Sequence, residues 1–152
     1  MPDIYFVMLD KILATTDDIA PFIVRVTLGA VMFPHGAQKL LGWFGGGGFQ
    51  GTLQFFTENM GIPVVFAVLA IAAEFFGALG LIVGFLGRIS ATGVGAVMVV
   101  AAVMESRNGF FMNWSGDKAG EGIEYHFLAI AMALVVIIKG SGVWSIDRAW
   151  TR

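Results

Sequence analysis

The chain has 152 residues and a net charge of −2; 57% of its residues are hydrophobic and 13% are charged. A soluble domain is about 45–50% apolar and about 25% charged, because water must hydrate its surface. The composition therefore excludes an ordinary water-soluble domain, and the charge gives no reason to expect nucleic-acid binding. Because the chain has no cysteine, disulfides, thiolate metal sites and Fe–S clusters are excluded as well.

The first element is a short segment, residues 1–18, in which apolar residues alternate with charges. Apolar residues between positions 4 and 13 are interrupted by Asp10 and Lys11. This stretch is too short and too charged to cross a bilayer. We predict an interfacial helix that lies on the membrane, with a partly ordered tail as the alternative.

Four longer apolar stretches follow, and together they predict an all-α fold. They cover about residues 19–41, 63–86, 88–105 and 123–143. A transmembrane helix needs about 20 apolar residues, and the third stretch is short unless Arg88 and Glu105 extend towards the interfaces. We therefore predict a transmembrane four-helix bundle over residues 19–152, with a second short interfacial helix at about residues 49–60.

The distribution of basic residues predicts the orientation in the membrane. The side that holds both termini and the second connection carries Lys11, Arg25, Arg88, Lys139, Arg148 and Arg152. The other side carries Lys39, Arg107 and Lys118. Because basic residues favour the cytoplasm, we expect both termini there.

Ionisable residues inside the predicted spans are the first candidates for function, because a charge in a membrane is costly. Arg25, His35 and Lys39 share one face of the first helix, and Glu74 lies near the middle of the second. We predict an ion pair between Arg25 and Glu74. Such a pair either only fixes the helix register or belongs to a functional site.

A second group of ionisable residues is expected near the outer face, because the first and fourth helices run in opposite directions. Its members are His35, Lys39, Glu105, Arg107, Glu124 and His126. Three interpretations remain open: a polar cap on the helix ends, a site for a quinone head or another polar ligand, and a metal or bis-histidine haem site. Haem has the least support, since only the two histidines argue for it.

Several ordered motifs resemble one family of membrane proteins. They are His35-Gly36-Ala37-Gln38-Lys39-Leu40, Gly42-Trp43-Phe44, Glu74-Phe75-Phe76-Gly77, Leu81, Gly84, Arg88, Gly140-Ser141-Gly142 and Ser145-Ile146-Asp147. Together they resemble the DoxX family of small four-helix bacterial membrane proteins, over about residues 25–147.

The resemblance implies a bacterial inner membrane and a link to quinone chemistry. The DoxX family takes its name from subunits linked to a thiosulfate:quinone oxidoreductase, and some members belong to membrane oxidoreductase complexes. It also marks five family-pattern positions, His35, Lys39, Glu74, Arg88 and Asp147, without separating catalytic from structural roles.

These observations lead to two main hypotheses and a third, less favoured one. In the first, the chain is a membrane subunit of a quinone-linked oxidoreductase system, and a quinone binds between its helices. The expected ligand-binding residues are Arg25, His35, Lys39, Glu74 and His126, and the expected structural residues are Arg88, Asp147, Gly36 and Gly77. In the second, it is a non-enzymatic assembly or scaffold subunit. A small-solute transporter is the third, because four helices leave little room for a pathway.

The chain shows no flavin or nicotinamide motif, so any electrons must come from a partner. Besides the lipid bilayer, we expect that partner to be a redox subunit, another membrane protein or a second copy of the chain. Whether the chain is an enzyme on its own stays open.

Overall fold

The structure is a computed structural model that describes residues 4–151, with side chains from Leu9 onwards. Of the predicted interfacial segment, residues 1–18, positions 1–3 lie outside the described residues. The described chain is helical and has no strand within residues 4–151. Its α-helices are α1 (Ile4–Leu13), α2 (Ile19–Leu41), α3 (Gly48–Gln54), α4 (Val64–Val83), α5 (Gly87–Glu105), α6 (Glu124–Lys139) and α7 (Ile146–Trp150). A π-helical turn, Phe55–Asn59, continues α3.

Three of these helices are long and apolar enough to cross a membrane. They are α2, with 23 residues, α4, with 20, and α5, which reaches 22 residues when the 3-10 turn Ser106–Asn108 is included. The helix α6 has only 16 residues. It ends at Lys139 instead of the predicted residue 143, because Gly140 has a φ of 79° and its backbone leaves the helix. The predicted fourth stretch is thus helical but shorter than expected.

Local sequence explains where α2 begins and ends. The Asp18 side chain accepts a hydrogen bond from the Ala20 N–H at 3.0 Å, which caps the first turn. At the other end, Gly42 has a φ of 74° and its N–H donates to the Ala37 carbonyl. Both ends match the predicted range of residues 19–41.

The four long helices form a closed ring of contacts: α2 packs on α4, α4 on α5, α5 on α6, and α6 on α2. Their shared core contains Leu28, Met32, Leu81, Val94 and Val136, all buried. Large apolar side chains on the outer faces are exposed. An apolar exterior around an apolar core is the arrangement expected of a protein surrounded by lipid.

Glycines permit close contact between neighbouring helices in this ring. A β-carbon on Gly36 of α2 would lie 2.6 Å from the Cα of Phe75 in α4. A β-carbon on Gly77 of α4 would lie 3.0 Å from Val94 of α5. Both positions predicted as structural glycines therefore lie where two helix backbones approach each other.

Arg25 has a different environment from the one predicted. It is fully buried, and its five N–H groups donate to backbone carbonyls. The acceptors are Leu81, Ile82, Ser141, Val143 and Trp144, at distances of 2.6–3.3 Å. The predicted Arg25–Glu74 ion pair is therefore wrong. The guanidinium instead satisfies the free carbonyls at the end of α4 and in the segment before α7.

Asp147 binds the neighbouring end of the bundle. Its carboxylate accepts hydrogen bonds from the backbone N–H groups of Leu86 and Gly87, at 2.7 and 2.9 Å, and from the Ser141 hydroxyl, at 2.6 Å. Leu86 precedes α5 and provides no side-chain cap of its own. Asp147 therefore caps α5 from a distant part of the chain.

Arg88 joins the start of α5 to two other segments at the same end of the bundle. Its Nε donates to the Ala14 carbonyl at 3.1 Å, and its Nη1 donates to the Ile137 carbonyl. The start of α5 is thereby tied to the segment before α2 and to the last turn of α6.

Candidate ligand cavity

A cavity of about 800 Å³ lies between the four long helices, on the side away from Arg25. Its walls come from residues 66–74 of α4 and 93–105 of α5, with Met32 to Lys39 of α2 and the start of α6 opposite. Residues 56–62, which follow α3, and Met112 and Glu121 of the α5–α6 loop complete the lining. Most of these side chains are Ala, Val, Leu, Phe or Met, so the body of the cavity is apolar.

One part of the cavity wall carries a buried ion pair. The Lys39 Nζ lies 2.5 Å from Oε2 of Glu74, and the side chains of Lys39 and Glu74 are 26% and 4% exposed. Lys39 is one turn after Gly36, where the backbones of α2 and α4 approach each other closely. The small residue thus allows the ammonium group to reach the carboxylate on the facing helix.

His126 is the most unusual polar residue of the cavity. It is 8% exposed, and its Nδ1 is buried without a hydrogen-bond partner among the described residues. A buried polar atom without a partner costs about 1–3 kcal/mol. A bound molecule that gave this atom a partner would therefore gain a hydrogen bond.

Two aromatic groups lie next to these charged residues. The Tyr125 hydroxyl donates to the Met32 sulfur at 3.3 Å. The rings of His35 and Tyr125 lie 6.3 Å apart, and the His35 side chain is exposed on the outer part of the cavity wall. The start of α6 and the end of α2 thus face each other across the cavity.

The structure brings together most of the predicted site residues. His35, Lys39, Glu74, Glu105 and His126 all line the cavity. Arg25 does not: it lies roughly 21 Å from Lys39 along α2, at about 1.5 Å per residue. It also has no free N–H to offer a ligand.

Two other members of the predicted outer group point elsewhere. Glu124 accepts a hydrogen bond from the Trp114 Nε1 at 2.9 Å and does not line the cavity, although it is only two residues from His126. Arg107 is exposed in the 3-10 turn after α5. On a helix, residues two apart project to different sides, which separates Glu124 from His126.

Sequence reasoning did not identify Tyr125, Glu121, Met60 and Met112 as cavity residues. Tyr125 is adjacent to His126, and this was the one available signal. The others lie in segments between the long helices, and hydrophobic periodicity gives no information about how such segments fold over a cavity.

The described residues give no support to a metal site. Within residues 4–151, no group of three or more His, Asp or Glu side chains is arranged to hold a metal ion. The cavity instead combines hydrogen-bonding and ionisable groups from all four long helices with an apolar body. A molecule with a polar head and an apolar remainder fits such a cavity, and pockets of about 300–1,000 Å³ are typical for small ligands.

Comparison with known proteins gives one match. Residues 20–107, more than half of the chain, match the DoxX family. The matched region contains α2 to α5, and with them Lys39 and Glu74, but it ends before α6 and His126. No curated protein and no solved structure gives a significant match to the chain.

Proposed function

The chain belongs to the DoxX family of membrane proteins, and on that premise we propose that it binds a quinone, or a similar ligand with a polar head, in its cavity. We further propose that it does so as an inner-membrane subunit of a quinone-linked oxidoreductase system. The observation that carries the proposal is the Lys39–Glu74 ion pair in the wall of a mostly apolar cavity.

Burial of two charges in a membrane carries a desolvation cost that apolar side chains packed in the same place would not have. An ion pair at such a position therefore supports a role beyond packing. Lys39 offers ammonium protons to a ligand oxygen, and Glu74 holds that ammonium group in place. The His35 and His126 side chains lie on the same cavity and can donate or accept a proton. A quinone head presents carbonyl oxygens that accept such hydrogen bonds.

The redox chemistry requires a partner. Reduction of a quinone to a quinol consumes two electrons and two protons. Titratable side chains of the cavity can deliver protons, whereas the sequence has no motif for a group that carries electrons. The electrons therefore come from a redox subunit that docks on this protein.

The membrane arrangement forms part of the proposal. We propose that α6 crosses the bilayer together with α2, α4 and α5, so that the ring of four helices is a transmembrane bundle. Both termini then lie on the cytoplasmic side, where most basic residues are expected.

The test is the quinone content of the purified protein. We expect lipid extracts of the wild-type protein to contain up to one quinone per chain, and the Lys39→Gln variant to retain at least about tenfold less. The control is Arg148→Gln, which removes an ion pair with the exposed Asp17, 2.7 Å away, far from the cavity. Wild-type protein that neither contains quinone nor binds added quinone would contradict the proposal. A stoichiometric protein partner without any ligand would favour the scaffold function.

A further inference from the structure

We propose that the ligand is a tailed, lipid-soluble molecule whose head bonds to the imidazole of His126 and whose apolar tail leaves the cavity sideways, between α4 and α5. This inference rests on the proposed quinone site and adds to it the anchor of the head, the route of access and the need for a tail.

The head is placed by His126, a buried histidine of the cavity lining whose Nδ1 lacks a partner among the described residues. The Nδ1 of His126 has no hydrogen bond within the described residues, and the residue is more than nine-tenths buried. Imidazole nitrogen can donate to a carbonyl oxygen or accept from a hydroxyl group. It can therefore bond to the oxidised and to the reduced form of a quinone head.

The route is defined by where α4 and α5 are in contact. Near their connection the helices are close, since a β-carbon on Gly77 would meet Val94 and one on Gly93 would lie 3.2 Å from Ala73. Beyond this point, residues 66–70 of α4 and 96–104 of α5 line the cavity from its two sides. The cavity is thus bounded on this side by the end of the α4–α5 hairpin that lies away from its connection.

The side chains at this opening are apolar and face outwards. Phe66, Leu69 and Val100 line the cavity and are 63%, 57% and 54% exposed. They belong to two of the helices that can span a membrane, so the medium outside them is lipid. Ala70 and Ala96 also line the cavity, and their methyl side chains occupy little space there. An apolar tail crosses this opening without desolvating any charge.

The experiment uses two photoreactive quinones with the same ten-carbon tail and the wild-type protein in phospholipid nanodiscs. One quinone carries the azide on the head and the other at the end of the tail. We expect the head probe to label peptides that contain Tyr125 and His126 or Lys39. We expect the tail probe to label residues 66–70 or 96–104. Because phospholipid is in large excess, labelling of these peptides also shows that the quinone enters the cavity in competition with ordinary lipid.

Three variants and one matched control test the two parts of the inference. Ala96→Trp fills the opening, and we expect it to lower labelling by both tailed probes at least about tenfold. The matched control is Ala131→Trp, an exposed alanine of α6 that does not line the cavity, and it should label like the wild type. His126→Leu should lower head labelling to a similar extent, whereas His126→Asn, whose amide can also donate and accept hydrogen bonds, should restore most of it.

The outcomes separate this inference from the proposed function. Absence of all labelling in the wild-type protein would overturn the quinone site itself. Labelling with the tail on α2 or on the α5–α6 loop would leave the quinone site standing and overturn the lateral route. Full labelling of folded Ala96→Trp would do the same, and full labelling of folded His126→Leu would overturn the role of His126.

Discussion

The side chains of Lys39 and Glu74 differ in solvent exposure. We therefore expect the substitution of one to lower the free energy of unfolding more than the substitution of the other. The Glu74 side chain is 4% exposed and cannot move to water, whereas the Lys39 side chain is 26% exposed and has a flexible stem. We expect Lys39→Ala to lower the free energy of unfolding by about 3 kcal/mol, because it leaves a buried carboxylate unpaired. Glu74→Ala should cost less, and the double variant should be more stable than Lys39→Ala alone.

The measurement is a double-mutant cycle on unfolding in detergent. The control pair is Arg148 and Asp17, a surface ion pair in which the Asp17 side chain is 73% exposed. Removal of Arg148 should change stability by less than about 1 kcal/mol. Additive effects of the two substitutions at positions 39 and 74 would show that the pair contributes no coupling.

Arg25 leads to a second prediction at the residue scale. A lysine in its place has three donors on one nitrogen atom and cannot reach five carbonyls on two sides of the side chain. We expect Arg25→Lys to lower the melting temperature of the purified protein strongly, although the charge is kept. The comparison is Arg88→Lys, which loses bonds to two carbonyls and should have the smaller effect. Equal stability of Arg25→Lys and the wild type would contradict this role.

At the scale of the helices, Gly36 controls the contact between α2 and α4. A methyl group there would meet the backbone of Phe75 at 2.6 Å, and a backbone cannot turn aside as a side chain can. We expect Gly36→Ala to cost about 3 kcal/mol, the upper part of the range for overpacking, in an unfolding experiment. Gly51 in α3 is the matched control, since nothing lies within 4 Å of a β-carbon there. Gly51→Ala should be neutral or stabilise the protein slightly.

The helices themselves were largely predictable because hydrophobic runs and their end signals are local. The bounds of α2 follow from Asp18 and Gly42, and both signals can be read from the sequence. The end of α6 was predicted four residues too late, because residues 140–143 are apolar or small and continue the pattern. Only the tertiary contacts of this segment, including the Arg25 bond to Ser141, show why the chain leaves the helix there.

At the scale of the whole molecule, the partner of each charge was the least predictable feature. Distances along a helix allowed Glu74 to pair with Arg25 or with Lys39. The choice depends on where residues 141–144, more than a hundred positions away in the sequence, supply carbonyls to Arg25. Likewise, the cavity combines α2 and α6 with two intervening segments. A single sequence shows which residues would be costly to bury in a membrane. It does not show which of these residues contact each other.

The contacts of α6 argue for four membrane crossings. At its start, the N–H of Ile123 donates to the Phe110 carbonyl at 2.9 Å, close to the end of α5. At its end, the Lys139 carbonyl accepts from Thr16 N–H at 3.2 Å, just before α2. The start of α6 thus lies beside the end of α5, and its end lies beside the start of α2. We therefore expect α6 to extend over the same depth as these two candidate spans. Its 16 residues correspond to about 24 Å, somewhat less than the bilayer core of about 30 Å, and local thinning or flanking residues make up such a difference.

Four crossings place both chain ends on one side, and three place them on opposite sides. We expect a reporter after Arg152 to be cytoplasmic, and reporters inserted after Gly45 or Gly116, where a β-carbon has no neighbour within 4 Å, to be external. The basic residues near the two chain ends and near Arg88 favour this orientation. An external reporter after Arg152, together with an external reporter after Gly45, would show that α6 lies outside the bilayer. The cavity wall that carries His126 would then face water, and the proposed membrane-embedded ligand site would lose one of its four sides.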